Sequence, residues 1–308
     1  MLNEKKQVQL SQIIPFGTVE TIQQNNLREM IQQQKRDLEE VMDTLIPKSS
    51  EKSIPYWQQK IDERMKSWGV DRYGIAPILD QYKYQNSRIN KHEHRAIVFA
   101  IPMDYKKMQS VPSVESATEI LVAYQRCGEI VLKLTMLLRD SGIQASEHHP
   151  LGNIKEYHHL LFPPHAVAAG MGERGRTGLF IDHQLGPLVR LGIVTTSLEL
   201  PIANIQNKGV NAFCHRCRYC VDFCPPRAIN PSKYLESLKS GFPIQFKINA
   251  DSCLKYFTKH YGCGKCLVKC VLAQVNQEEI AKRMQRIEKW YNQWVVTGEL
   301  EKLHKEVS

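Results

Sequence analysis

No stretch of this chain approaches the ~18 apolar residues that a membrane-spanning helix requires; the best run, Ala96 to Pro102, is far too short. The amino-terminal MLNEKKQVQL has neither the apolar core of a secretory signal nor a twin arginine. A cytoplasmic protein is the expectation. Cysteine is scarce outside one segment: of nine, only Cys127 lies elsewhere, while the other eight fall between Cys214 and Cys270. That clustering speaks against a disulfide framework and for metal or redox chemistry. There is no long internal repeat, and no pair of histidines stands at zinc-ligand spacing with a cysteine.

What is present is the composition of a globular protein. The 308 residues are 42% hydrophobic and 24% charged, enough for a substantial core in one large or two ordinary domains. The formal net charge is +9. Such a balance favours acidic partners, whether nucleic acid, an acidic electron donor or an anionic substrate; a lysine-rich solvated surface gives the same number. Thiolate-held clusters would add negative charge that this count omits.

Periodicity predicts helices over Thr21 to Leu45 and Tyr56 to Trp68, then short strands at Tyr73–Pro77 and Arg95–Ile101. Ala117 to Arg139 is the clearest helix: Ile120, Leu121, Tyr124, Cys127, Val131, Leu134 and Leu138 make one apolar stripe, with Gly142 as its stop. On that stripe Cys127 reads as core. A loop with His148, His149, His158, His159 and His165 follows, with one histidine expected near substrate and the rest on the surface. A small-residue helix is expected at Ala166 to Gly172, and strands at Leu179–Ile181 and Val189–Thr195 around Gly186-Pro187. The tail from Glu278 to Glu306 reads as an amphipathic helix or a pair of helices, with Ile280, Met284, Ile287, Tyr291 and Trp294 on its apolar face. Mixed elements of this kind imply a layered α/β or α+β domain.

The cysteines fall in two groups, Cys214-x2-Cys217-x2-Cys220-x3-Cys224-Pro225 and Cys253-x9-Cys263-x2-Cys266-x3-Cys270. The first is the ferredoxin spacing for 4Fe–4S clusters, in which three close cysteines wrap one cubane and the fourth reaches the other cluster. By that logic Cys214, Cys217, Cys220 and Cys270 hold one cluster, and Cys224, Cys253, Cys263 and Cys266 the second. Zinc is the competing metal, but it leaves the third close cysteine and the proline without a role. The second group departs from the pattern: Val271 stands where proline is usual, and nine residues separate Cys253 from Cys263. Two clusters form an electron relay. Roughly 200 residues precede them, so an acceptor is expected at the inner end.

The segment Gly170-Met-Gly-Glu-Arg-Gly-Arg-Thr-Gly-Leu-Phe-Ile181, followed by Gly186-Pro187-Leu188-Val189-Arg190-Leu191-Gly192, resembles the cobalamin-dependent reductive dehalogenases and epoxyqueuosine reductases. There too a Gly-rich stretch precedes a GP-x-V-R strand and two ferredoxin-like clusters. The stretch Gly69-x-Asp71-x-x-Gly74-Ile75-Ala76 and the isolated Cys253 agree, so the resemblance covers roughly residues 60–272. It implies an α+β fold: a helical extension over 1–55, a nitroreductase-like α/β cobalamin-binding domain over 56–205, a ferredoxin-like iron–sulfur domain over 206–275 and a terminal helix over 276–308. It also implies base-off cobalamin beside one cluster, reduction of its cobalt to Co(I), a low-potential ferredoxin- or flavodoxin-like electron donor, and a small organic substrate reduced at the corrin's upper face. The epoxyqueuosine branch would act on tRNA instead; against it, few residues follow Cys270, where that branch carries a helical-repeat extension. A two-cluster electron carrier without corrin is the non-enzymatic alternative. The near-match of Asp182-His183-Gln184-Leu185-Gly186 to a D-x-H-x-x-G cobalamin box reads as coincidence, because aspartate and histidine are adjacent.

The resemblance places Gly170, Gly172, Glu173, Gly175 and Gly178 at the cofactor, where glycine lets backbone approach a flat macrocycle; tight turns are the plainer reading. Arg176 matches a basic position of the family stretch and would bind a leaving anion or tune a neighbour. Tyr124, on the long helix where similar dehalogenases carry a tyrosine, would donate the proton, since a phenol keeps its proton at neutral pH until a neighbouring cation tunes it. As members of an apolar stripe or a turn, both residues have a structural reading as well.

Overall fold

A computed structural model of the chain describes residues 21–44, 52–84, 87, 89–152, 158–231, 248–273 and 276–298. Its centre is an antiparallel sheet in the order β1-β2-β6-β3, formed by Tyr73–Pro77 (β1), Arg95–Pro102 (β2), Ala145–His148 (β3) and Val189–Thr196 (β6). β2 is covered on both faces. Ile97, Phe99 and Ile101 belong to one core and Ala96, Val98 and Ala100 to the other. This is why it reads as an unbroken apolar run rather than an alternating one. Opposite Phe99 in the register stands Gly192, where a Cβ would lie 2.2 Å from the ring; the missing side chain makes room for the aromatic.

One face packs on the long helix α4 (Val114–Arg139), which is itself flanked by α1 (Ile22–Thr44) and shares its core with α2 (Ile54–Ser67). α4 starts on a reciprocal Ser113–Ser116 capping box, the device that satisfies the first orphan amides. Cys127 is fully buried in this core, and burial pushes its thiol up, as expected of a packing residue. In α2 the Ser53 hydroxyl accepts from Tyr56 N, and Trp57, Ile61 and Met65 are buried at four-residue spacing.

The opposite face carries α5 (Phe162–Ala168) and a small hairpin of β4 (Gly172–Arg174) and β5 (Phe180–Asp182). The hairpin is tied to the start of the sheet by a buried ion pair: Arg72 Nε donates to both Asp182 oxygens at 3.1 and 2.9 Å, and Nη2 reaches Met171 O at 2.5 Å. Beyond the sheet come α6 (Val210–Arg216), α7 (Tyr219–Asp222), α8 (Ala250–Lys259) and α9 (Lys265–Val268), which carry the cysteines. The terminal helix α10 (Gln277–Thr297) packs along α6 through Ile280, Met284 and Ile287, and Arg216 lies 3.9 Å from the Trp294 ring centroid.

Two expectations are corrected. The histidine stretch is not a surface loop: Ala145–His148 is strand β3, and His148, His149 and His165 are buried. The helix expected at Ala166 to Gly172 lies earlier, at Phe162–Ala168, because Pro163 and Pro164 preset its first turn and Gly170, at φ 67°, stops it. Of the expected tail helix or helices, the described part ends at Thr297, where Gly298 adopts a left-handed cap; the remainder, with residues 1–20 and 45–51 of the expected extension, lies outside the described residues.

Candidate functional site

The eight clustered cysteines sort into two sets in space. Cys214 lies in the last turn of α6, Cys217 caps that helix, and Cys220 lies in α7; Cys270 arrives after α9 from the other end of the segment. Burial pushes the Cys214 thiol well up, and the nearness of Cys270, Cys217 and Cys220 adds to it. Burial likewise raises Cys270 to about 12 and Cys220 to about 11, with Cys217 contributing to both. In the second set, burial and then Cys224 and Cys263 raise Cys253, and burial followed by Cys263 and Cys253 raises Cys266. Cys266 also feels Cys220, so the sets adjoin.

The chain aims backbone N–H groups at these sulfurs. Ala228 N donates to Cys224 Sγ at 3.3 Å. Leu272 and Ala273 turn amides toward Cys270, and Gly264 and Lys265 toward Cys263. For the last pair the backbone pays in strain: Tyr261, Gly262, Cys263 and Gly264 all hold φ between 43° and 83°, a conformation that costs a non-glycine residue about 1–3 kcal/mol. Cys214, Cys217, Cys220 and Cys270 line one small cavity, walled by apolar Ile181, Pro187 and Leu267. Among the described residues no three His, Cys, Asp or Glu side chains converge on a single ion. All-thiol donors spread around an apolar volume, with amides directed at the sulfur, suit a multi-iron cluster, whose thiolate ligands are tuned by such hydrogen bonds.

The Gly-rich segment braces this cavity. Arg176 donates to Cys214 O at 2.9 Å, His215 O at 2.7 Å and Asn230 O at 3.5 Å, and is 3% exposed. Its guanidinium thus clamps the first cysteine loop. Glu173 has a similar job: its carboxylate accepts from Lys208 N at 2.7 Å and Asn211 N at 3.1 Å, seating the start of α6, with His183 Nε2 at 3.2 Å. Of the four glycines, Gly175 faces the cavity, its would-be Cβ 3.6 Å from Cys214 Sγ. Gly172 is packed against Ile181 O across the hairpin, and Gly170 and Gly178 are left-handed turn positions. The adjacent Asp182 and His183 are taken up by Arg72 and Glu173.

A second, larger cleft of about 250 Å³ shares Leu179, Pro187 and Leu267 with the sulfur cavity. Its walls include Tyr84, Tyr124, His158, Phe162, Phe180 and Arg190. Tyr124 is presented by α4 and Arg190 by β6; the guanidinium carbon sits 4.9 Å from the phenol ring centroid. Arg190 Nη1 reaches only its neighbour's carbonyl, Val189 O at 3.4 Å, and its buried Nε has no hydrogen-bond partner among the described residues. A buried donor left open on a cleft wall calls for a partner, which a ligand in the cleft would supply. His158 lines the cleft, where burial and then Lys35 lower it to about 4; among the described residues it is the one histidine of the stretch that does so. Aromatic and aliphatic walls interrupted by a few polar groups are the usual lining of a small-molecule site.

Sequence reasoning passed over Arg190, although it had named the GP-x-V-R strand that carries it; the signal was a lone basic residue on an otherwise apolar buried strand. It also passed over a polar network behind the sheet, where Glu93 accepts from Ser146 Oγ at 2.5 Å and from Thr195, and Thr195 Oγ1 lies 2.8 Å from His148 Nε2.

No family model matches the chain. A tetrachloroethene reductive dehalogenase of Desulfitobacterium hafniense is 28% identical over 235 residues, 73% of this chain and 40% of the relative. An epoxyqueuosine reductase of Francisella cf. novicida (strain Fx1) is 30% identical over 115 residues, 36% of this chain and 32% of the relative. The solved structure of the catabolic reductive dehalogenase NpRdhA in complex with 3-bromo-4-hydroxybenzoic acid superposes with a TM-score of 0.74 at 22% identity, covering 86% of this chain and 39% of that one. The chain therefore shares the fold of that dehalogenase, and its homologues are oxidoreductases of the dehalogenase and epoxyqueuosine types. It spans about 40% of the length of the first curated relative. No described helix is long and apolar enough to cross a membrane.

Proposed function

We propose that this chain is a cobalamin- and iron–sulfur-dependent reductase of the dehalogenase type, acting on a small organic substrate. The observation that carries the reading is the wall of Leu179, Pro187 and Leu267 common to the sulfur cavity and the aromatic cleft: an electron acceptor in the cleft would lie directly beside the cluster held by Cys214, Cys217, Cys220 and Cys270. Cys224, Cys253, Cys263 and Cys266 would hold the outer cluster. Tyr84, Phe162 and Phe180 would hold the cobalamin, which would supply low-potential reducing chemistry at its metal.

The net reaction, R–X + 2 e⁻ + H⁺ → R–H + X⁻, asks the protein for a proton and a place for the departing anion. Tyr124 supplies the proton from its phenol oxygen. Arg190 meets the negative charge that develops next to it, through the Nε left open at the cleft, and its stacking on Tyr124 fixes both groups in one geometry. Buried in an apolar cleft, such a fixed cation acts far more strongly than in water. Glu173, Arg176 and Gly175 act by positioning the first cysteine loop. By this reading the sheet and its helices form the cofactor domain (56–205) and α6 to α9 the iron–sulfur domain (206–275), flanked by the two helical ends.

Anaerobic reconstitution with iron, sulfide and cobalamin tests this. The expected product carries about eight irons per chain and a corrin absorption band, and converts a halogenated aromatic or alkene to its dehalogenated form. Zinc in place of iron would remove the reading altogether; iron without corrin would reduce the chain to a two-cluster carrier; strong tRNA binding with no dehalogenation would move it to the epoxyqueuosine branch.

A further inference from the structure

We infer that the surface formed by Tyr219, Phe223 and Lys269 is the docking face for an acidic one-electron carrier protein; this rests on the two-cluster reading above. Tyr219 and Phe223 are 54% and 45% exposed, and their rings stack with centroids 6.2 Å apart and planes 20° from parallel. Lys269 Nζ stands 5.1 Å over the Phe223 ring. Two large aromatics left in water together, edged by a lysine, have the anatomy of an interface centre and its rim.

The place of the patch decides what it is for. Tyr219 also lines the sulfur cavity, and Phe223 directly precedes Cys224, so the patch bridges both cysteine sets at the point where they meet the surface. Charge decides the partner. Across residues 209–231 and 248–273, Arg218, Arg227, Lys255, Lys259 and Lys269 are exposed, while the only acids are Asp222 and Asp251. Asp222 is itself paired loosely with Arg218 at 4.0 Å. An acidic surface is drawn to such a rim and steered onto the aromatic centre. Nucleic acid would answer the charge too, but the position against the cluster sulfurs serves an electron donor. Each encounter moves one electron: the carrier is oxidised by one, and the cluster of Cys224, Cys253, Cys263 and Cys266 is reduced by one.

The test uses the reconstituted chain and an acidic flavodoxin, oxidised for binding and fully reduced for stopped-flow kinetics, with methyl viologen radical as the small-molecule reductant. The expected result is flavodoxin binding that weakens as salt rises, and a Lys269→Glu chain that binds and accepts electrons at least tenfold less well at low salt while methyl viologen reduces it at the wild-type rate. Phe223→Ser, which leaves charge unchanged, weakens binding at high salt as well. Iron content and far-UV circular dichroism confirm that both variants are folded and loaded. Flavodoxin binding that ignores salt in the wild-type chain, or that Lys269→Glu leaves untouched, overturns the docking face while iron content upholds the clusters. A chain without iron whose flavodoxin binding is still lost in Lys269→Glu sinks the cluster reading and keeps the face. Binding of tRNA or of a second copy in place of flavodoxin, lost in the same variant, overturns the assignment of the partner.

Discussion

Arg190 and Tyr124 meet face to face, guanidinium carbon 4.9 Å from the ring centroid, although one belongs to the central sheet and the other to the long helix packed against it. Neither element can shift without separating them. A Tyr124→Phe chain loaded with both cofactors should lose about 10²- to 10⁴-fold in kcat, the usual worth of a positioned acid. Arg190→Met should lose about 10²- to 10³-fold, and Arg190→Lys should recover only part, because an ammonium cannot stack its charge across the ring as a guanidinium does. Steady-state kinetics at fixed cofactor occupancy separate these losses from failure to load.

Arg176 lends itself to a sharper test of role. Removing its guanidinium leaves the carbonyls of Cys214 and His215 without their donor. Arg176→Met should bind about four irons rather than eight, with the set of Cys224, Cys253, Cys263 and Cys266 still loaded. Iron assay and the electron paramagnetic resonance of the reduced protein report which cluster survives.

The ion pair between Arg72 and Asp182 is nearly dry, with the carboxylate fully buried and the arginine side chain 17% exposed. Breaking it from either side strands a charge. Arg72→Met should destabilise the fold by about 3–5 kcal/mol, read as a fall in the urea midpoint.

Packing at the sheet's centre makes a paired prediction. Gly192→Ala drives a methyl into the Phe99 ring and should cost about 1–3 kcal/mol. The double variant with Phe99→Leu should be less destabilised than the sum of the two single changes, since the smaller side chain vacates the space the methyl needs.

Burial lowers His148 well below its ordinary value, His149 to about 3 and His165 to about 4. A histidine held neutral in the fold takes a proton more readily when unfolded, so the unfolded chain binds more protons between pH 6.5 and pH 4. Stability should therefore fall as pH drops through that window, each histidine steepening the slope by about 1.4 kcal/mol per pH unit. Denaturant midpoints measured from pH 7 to pH 4.5 check this; replacing His165 by Gln should flatten the curve.

Much of the architecture was legible in local pattern. The stripe of α4 and the apolar run of β2 each name their element because periodicity reports burial directly. The histidine stretch misled for a complementary reason. Polar residues normally mark a surface, yet here Glu93, Thr195 and Ser146 satisfy one another behind β3 and let His148 lie inside; no local pattern announces partners so far away in the chain. The same limit hid the roles of Glu173 and Arg176. Their motif was visible, but the backbone groups they grip, in Lys208, Asn211, Cys214 and His215, come from a segment that only the fold brings near. Arg190 was in view as part of a motif and acquired a use only when β6 set it against Tyr124.

The company Cys270 keeps has a consequence for how the protein is made. It stands with Cys214, Cys217 and Cys220, so during synthesis that thiol quartet stays a trio until the far end of the segment has left the ribosome. A nascent chain arrested before α9 would offer an incomplete cage, open to oxygen and to stray zinc. On the proposed assignment, insertion of the inner cubane is a late event, and delivery of iron and sulfide must wait until the chain has emerged past α9.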